Sequence, residues 1–207
     1  MSRSRIRLGF IARTAMAMAL AAVVYVSTPL AASFAGEIGP ASPQPKAKQL
    51  KPGLAVYYEF NYVRAIKWML YYTRDNKGKP GAPLPQLNYN SGIGNVLTSG
   101  RADGVMATIE GYIKLAKPGA YIFKANANDG VRVMLGGKRI LNDPKWHSLG
   151  DQMTAPIKVQ ITKPGWYSLK VLYFERKGTS TLQLYWQPPG AAAAEIVPAG
   201  VFAHMAK

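Results

Sequence analysis

Asn128-Asp129-Gly130 is the stretch best equipped for chemistry: an amide, then a carboxylate, then a residue with no side chain to block approach. Asp143, Trp146, His147 and Asp151 follow in the next loop candidate. Together they offer oxygen ligands for a hard cation, an indole face on which a sugar ring can stack, and an imidazole that titrates near neutrality. Plainer roles compete. Asp129-Gly130 can turn a hairpin, with Asp accepting backbone N–H bonds and Gly at positive φ. Trp146 can cover the core, and His147 can be a hydrogen-bonded structural group. Catalysis has less to stand on: Glu59, Glu110 and Glu175 lie in strand candidates, but glycoside hydrolysis needs two carboxylates placed across one bond. No spacing pairs any two of them, so they are expected to face outward, and no residue is assigned a catalytic role.

The chain has no cysteine, and neither of its two histidines is near the other. That excludes disulfides and thiolate zinc, leaves the fold to its core, and leaves oxygen ligands, the set that suits calcium. The first 35 residues read as an export leader: Arg3, Arg5, Arg7 and Arg13, then an apolar run from Ala15 to Val26, then Ser33-Phe34-Ala35 as a small-x-small cleavage site. An uncleaved anchor is the competing reading, because the apolar stretch is about long enough to span a bilayer. Removing the leader leaves 207 − 35 = 172 residues, one domain's worth, with 22 basic and 10 acidic side chains, or +12. Such a surface is drawn to polyanions, which for an exported bacterial protein means envelope phosphates, acidic glycans and the outer faces of lipids rather than nucleic acid; scattered lysines that keep a β-protein soluble and its edges unpaired are the competing reading.

The elements that must position these residues are strands. From Val105 to Leu115 the apolar residues alternate: Val105, Ala107, Ile109, Ile113 and Leu115 share one parity, with Gly111 suggesting a bulge or a tight bend. Tyr121 to Ala125 and Val131 to Leu135 follow, separated by Lys117-Pro118-Gly119 and by the Asn-Asp-Gly tripeptide. Lys163-Pro164-Gly165 opens a second copy of the first of these turns, and the pair reads as a repeated hairpin. Leu54–Phe60, Ile93–Leu97, Ile157–Ile161, Tyr167–Tyr173 and Leu182–Trp186 are further strand candidates. Val63, Ile66, Met69 and Leu70 fall at helical spacing. Residues 36–52, rich in Pro and Lys without a hydrophobic period, are expected to be an extended tether. The fold expected is all-β, an antiparallel two-sheet β-sandwich with long loops, spanning 53–203 as one domain with a short tail at 204–207.

The run GYIKLAKPGAYIFKANANDGVRVMLGGKRIL resembles the centre of the protective-antigen-type ("PA-fourteen") β-sandwich domain. Gly111, Tyr112, Gly119, Tyr121, Phe123, Asp129, Gly130, Arg132, Gly137 and Lys138 match its pattern in order. Gly53-Leu54 with Tyr57-Tyr58, Pro164 to Tyr167, Leu184 to Trp186 and Ile196 to Pro198 resemble its flanks. In the sugar-binding branch of that family a paired Asp-Asp-Gly holds calcium, often through a cis peptide, and the ion ligates glycan hydroxyls. Here Asn128 replaces the first Asp, and Gly136 stands where the family has another. The resemblance implies ligand binding by Asn128, Asp129, Trp146 and His147, with weak calcium binding by Asn128, Asp129, Asp143 and Asp151. The function expected is an exported, non-catalytic domain that recognises carbohydrate or an anionic envelope polymer. The alternative is a structural or protein-interaction module of the bacterial envelope with a protein partner there. No transmembrane segment is expected in the mature chain.

Overall fold

Runs that alternate apolar and polar residues make strands with one dry face, and two dry faces must meet. The computed structural model describes residues 32–147 and 150–206. In chain order its first strands are β1 (Ser33–Ile38), β2 (Leu50–Pro52), β3 (Ala55–Phe60), β4 (Lys79–Pro80) and β5 (Asn88–Gly92), with helix α1 (Ile66–Tyr72) between β3 and β4. Next come β6 (Val105–Leu115), β7 (Gly119–Asn128), β8 (Val131–Leu135), β9 (Lys138–Asp143) and β10 (Gln152–Met153). The chain closes with β11 (Ile157–Ile161), β12 (Gly165–Glu175), β13 (Ser180–Gln187), β14 (Glu195–Ile196) and β15 (Phe202–Met205). One sheet runs β1-β11-β7-β13-β14, with β10 beside β7 and β5 beside β13; the other runs β2-β15-β6-β12-β8-β9, with β3 beside β6 and β4 beside β3. The long pairs β6–β12, β7–β13 and β8–β12 are antiparallel, and β1 runs parallel to β11. No helix among the described residues is long and apolar enough to cross a membrane.

The expected inward parity of β6 holds: Val105, Ala107, Ile109, Ile113 and Leu115 all lie in the core between the sheets. There Tyr121 stacks on Phe123 at 6.1 Å and tilts against Trp186 at 5.8 Å. Burying each such ring contributes about 1.5–3 kcal/mol. On the outer face of the second sheet Met106, Leu172 and Phe174 would be wet, but Val63, Ile66 and Met69 from the helix region cover them. The apolar stripe read from the sequence is therefore the buried side of α1, except that Leu70 is 41% exposed.

Several expectations are corrected. β6 and β8 lie in one sheet and β7 in the other, so Lys117-Pro118-Gly119 and Asn128-Asp129-Gly130 are arches between sheets, not hairpin turns. Lys163-Pro164-Gly165 likewise crosses from β11 to β12. A turn that does pair its own flanks is Gly136-Gly137, between β8 and β9, where both glycines have positive φ (55° and 79°) and Leu135 faces Lys138. β6 pairs with β12 without interruption, so Gly111 makes no bulge; a side chain there would run into the Ala203 carbonyl and Leu54. Ile93–Leu97 is not a strand: Ile93 is 81% exposed, while Val96 and Leu97 plug the core from a loop.

The segment read as a tether is folded against the sandwich. β1 pairs with β11 and buries Ile38, and β2 pairs with β15. A single buried apolar residue anchors the first of these contacts, too little to register as a period. His204 and Met205, placed in the tail, close β15. Of the expected leader, residues 1–31 lie outside the described residues, and β1 crosses the expected cleavage point after Ala35.

Candidate functional site

The arch between β7 and β8 organises one end of the sandwich. Tyr173, buried on β12, donates its O–H to the Asn128 carbonyl at 2.6 Å. The Asn128–Asp129 peptide bond is cis. Asn128 Nδ2 donates to the Thr179 carbonyl at 2.6 Å and to its Oγ1 at 2.8 Å. Asp129 is 1% exposed. Its Oδ1 accepts the His147 N–H at 3.0 Å and its Oδ2 accepts the Arg176 N–H at 2.8 Å. Burial raises the Asp129 pKa, and the two N–H donors, His147 and Arg176 offset part of that rise. One carboxylate thus ties together the loop after β9 and the turn after β12. Gly130 has no positive φ; it is glycine because a Cβ would run into the Phe174 ring.

The loop after β9 is in turn sewn to the segment before α1. Trp146 N–H donates to the Arg64 carbonyl at 3.0 Å, and Ile66 N–H donates to the Pro144 carbonyl at 2.9 Å. His147 Nε2 lies 3.0 Å from Asp143 Oδ2. Trp146 is left 39% exposed, with the guanidiniums of Arg64 at 5.8 Å and Arg176 at 5.7 Å from its ring centre. Alongside, Tyr62, Trp68, Tyr71 and Tyr72 are about half exposed, and Tyr62, Arg64, Trp68 and Tyr72 line a cleft of about 310 Å³. Lys177 lies over Tyr62 at 5.4 Å and Lys67 over Trp68 at 5.2 Å. Exposed rings interleaved with fixed cations can stack on apolar faces and donate hydrogen bonds to hydroxyls or anions. Sequence reading missed these rings, although Trp68, Tyr71 and Tyr72 fall on α1 away from Ile66 and Met69, which is the signal that marks them as exposed.

Glu175 is the unexpected member of this end. It shares the parity of Tyr173 on β12, is fully buried rather than outward-facing, and no hydrogen-bond partner reaches either carboxylate oxygen among the described residues. Burial first, then the carboxylates of Asp103 and Asp129, push its pKa up to about 8; the nearby Gly104 backbone and Arg176 offset only part of this. At neutral pH it is a protonated acid.

The four expected calcium ligands are not gathered. Asn128 turns its amide to Thr179, both Asp129 oxygens hold backbone N–H groups, Asp143 faces His147, and Asp151 Oδ2 accepts from Asn126 at 3.3 Å. Among the described residues no group of three or more His, Cys, Asp or Glu is placed to hold a metal ion. The donor set does not fit calcium, whose sites take six to eight oxygens, several of them carboxylate. Asn128 and Asp129 hold the frame, while Trp146 is presented at its surface.

A family model described as the PA14 domain matches residues 85–200. No curated protein matches the chain. Among solved structures, a PA14 sugar-binding domain from an RTX adhesin aligns at 16% identity and TM-score 0.57, covering 74% of this chain and 98% of that one. The epithelial adhesin 9 A domain from Candida glabrata, in complex with Galb1-3GlcNAc, aligns at 14% identity and TM-score 0.58, covering 78% and 93%. An anti-sigma factor domain-containing protein from Clostridium clariflavum aligns at 20% identity and TM-score 0.55, covering 73% of this chain but 47% of its own, so the chain spans about half of that relative.

Proposed function

The chain belongs to the PA14 domain family, and on that premise we propose that it is an exported, non-catalytic carbohydrate-binding module that works without calcium. The observation that carries this reading is the cleft of half-exposed rings beside Arg64 at the Asp129 end of the sandwich. Pyranose rings present an apolar C–H face and a rim of hydroxyls; Trp68, Tyr62 and Tyr72 supply the first complement, and Arg64 and Asn61 the second. The sugar-binding adhesin domains that share this fold support the class of ligand. The basic and apolar leader supports export. Cleavage after Ala35 would leave Glu37 and Ile38 still paired with Gln160 and Ile161 on β11.

A glycan array probed with the purified protein, with calcium and with a chelator, tests the reading. Binding in both conditions is expected, and Trp68→Ala and Arg64→Ala should each weaken it about tenfold without lowering the melting temperature, a loss of about 1.4 kcal/mol. A folded protein that binds no glycan in either condition would overturn it. Intact mass of the exported protein should begin at Gly36, and a species keeping Met1 in the inner membrane would refute cleavage.

A further inference from the structure

Further along the outer face of the second sheet, past the part that α1 covers, lies a groove of about 670 Å³. This is well within the range of about 300–1,000 Å³ typical of small-molecule sites. None of the residues lining it belongs to the cleft described above. Its polar centre is Glu110, whose carboxylate lies 2.6 Å from Lys77 and 3.0 Å from Lys170. Tyr57, Tyr112, Met134 and Lys51 line the groove with it. Glu110 is the one acid among the lining residues. Lys51 and Lys170 against the single carboxylate of Glu110 leave the lining with a net positive charge.

We propose that this groove binds an acidic oligosaccharide, a short glycan with carboxylates on its rings. The strands beneath it decide against an extended peptide. β6 is already paired with β12 on one side and with β3 and β15 on the other, and β12 with β6 and β8. β6 and β12 thus offer no free main-chain edge, and a ligand lying over them is read by side chains. Tyrosines and Met134 suit flat apolar ring faces, Glu110 can accept from hydroxyls, and Ser168 can accept from or donate to them. The excess of lysine selects for a ligand that carries negative charge. The groove and the cleft use different residues, so either can fail without the other.

Calorimetric titration of the purified protein with a galacturonic acid tetramer tests the proposal, with a neutral galactose tetramer and a hexaglutamate peptide as comparisons. The acidic glycan should bind at least about tenfold more tightly than the neutral one and weaken as salt rises. Tyr112→Ala and Lys170→Ala should each lower its affinity about tenfold, Tyr112→Phe should retain it, and Trp68→Ala should leave it unchanged. If Tyr112→Ala does not fold, the Tyr112→Phe and Lys170→Ala pair carries the test. Equal affinity for the neutral tetramer, equal affinity for hexaglutamate, or sensitivity to Trp68→Ala rather than to the groove variants would each overturn the proposal.

Discussion

Glu110 and Glu175 belong to neighbouring strands of one sheet, yet the outer groove keeps its acid ionised while the Asp129 end keeps its acid protonated. For Glu110 burial pulls the pKa up, but hydrogen bonds from Lys77 and Lys170 outweigh it and hold the group below the usual carboxylate range. For Glu175 burial pulls the same way, and the neighbours that matter most are further carboxylates, Asp103 and Asp129. Strand parity sends one side chain out toward lysines and the other in toward acids. Chemical character in this molecule is set by face and company rather than by residue type: the groove presents paired charges at its surface, and the dry end is a framework that presents rings.

The sharpest way to break this contrast is to change Glu175. Because its folded pKa lies above its ordinary value, the folded state binds the extra proton, and stability is lost as pH rises from about 4.5 to about 8. The slope should approach about 1.4 kcal/mol per pH unit in that window. Glu175→Gln should flatten it, leaving the variant more stable than wild type at pH 8 in urea denaturation; parallel curves for the two proteins would show that Glu175 is not the buried proton holder. Asp129→Ala comes next. It strips the acceptor from two backbone N–H groups, His147 and Arg176, and should cost about 2–4 kcal/mol, with a shift in Trp146 emission as its loop loosens. A loss below about 0.5 kcal/mol would mean that Asp129 does not pin the loops.

Gly130→Ala should cost about 1–3 kcal/mol in the same denaturation assay, because its methyl meets the Phe174 ring and the Lys145 carbonyl at 3.1 Å. An unchanged midpoint would remove the close-approach account of this glycine. The smallest effect is expected at the groove: Glu110→Gln should cost under about 1 kcal/mol, fading with added salt. Its folded pKa is depressed, so the Glu110 contribution is present at neutral pH and lost as pH falls through the folded value, opposite in sign to Glu175. Thermal melts at low and neutral pH would show this, and a Glu110 penalty as large as that of Asp129 would erase the distinction between the two regions.

How much was legible follows from what each signal can carry. Alternation marked the inward faces of β6, β7, β12 and β13 because the two-residue period is a property of the strand itself. The same alternation is silent about which strand lies alongside, so the arches at Lys117–Gly119 and Asn128–Gly130 read as hairpins. Asp129 stood out as the likeliest polar anchor, but whether its oxygens meet a cation or backbone N–H groups depends on where His147 and Arg176 arrive, 18 and 47 residues away.

The sequence by itself determined the all-β class, the buried stripe of α1, the absence of thiol chemistry and the excess of positive charge, since each is written in local pattern or composition. Tertiary structure alone decided the rest. It decided that Ile38 and the Pro/Lys-rich segment join the sandwich, that Glu175 loses its charge, and that Trp146 meets Arg64 and Arg176. It also decided that residues from β2, β3, β6, β8, β12 and β15 converge on one groove. These depend on which distant segments share a volume and exclude water from it, and no local period encodes that.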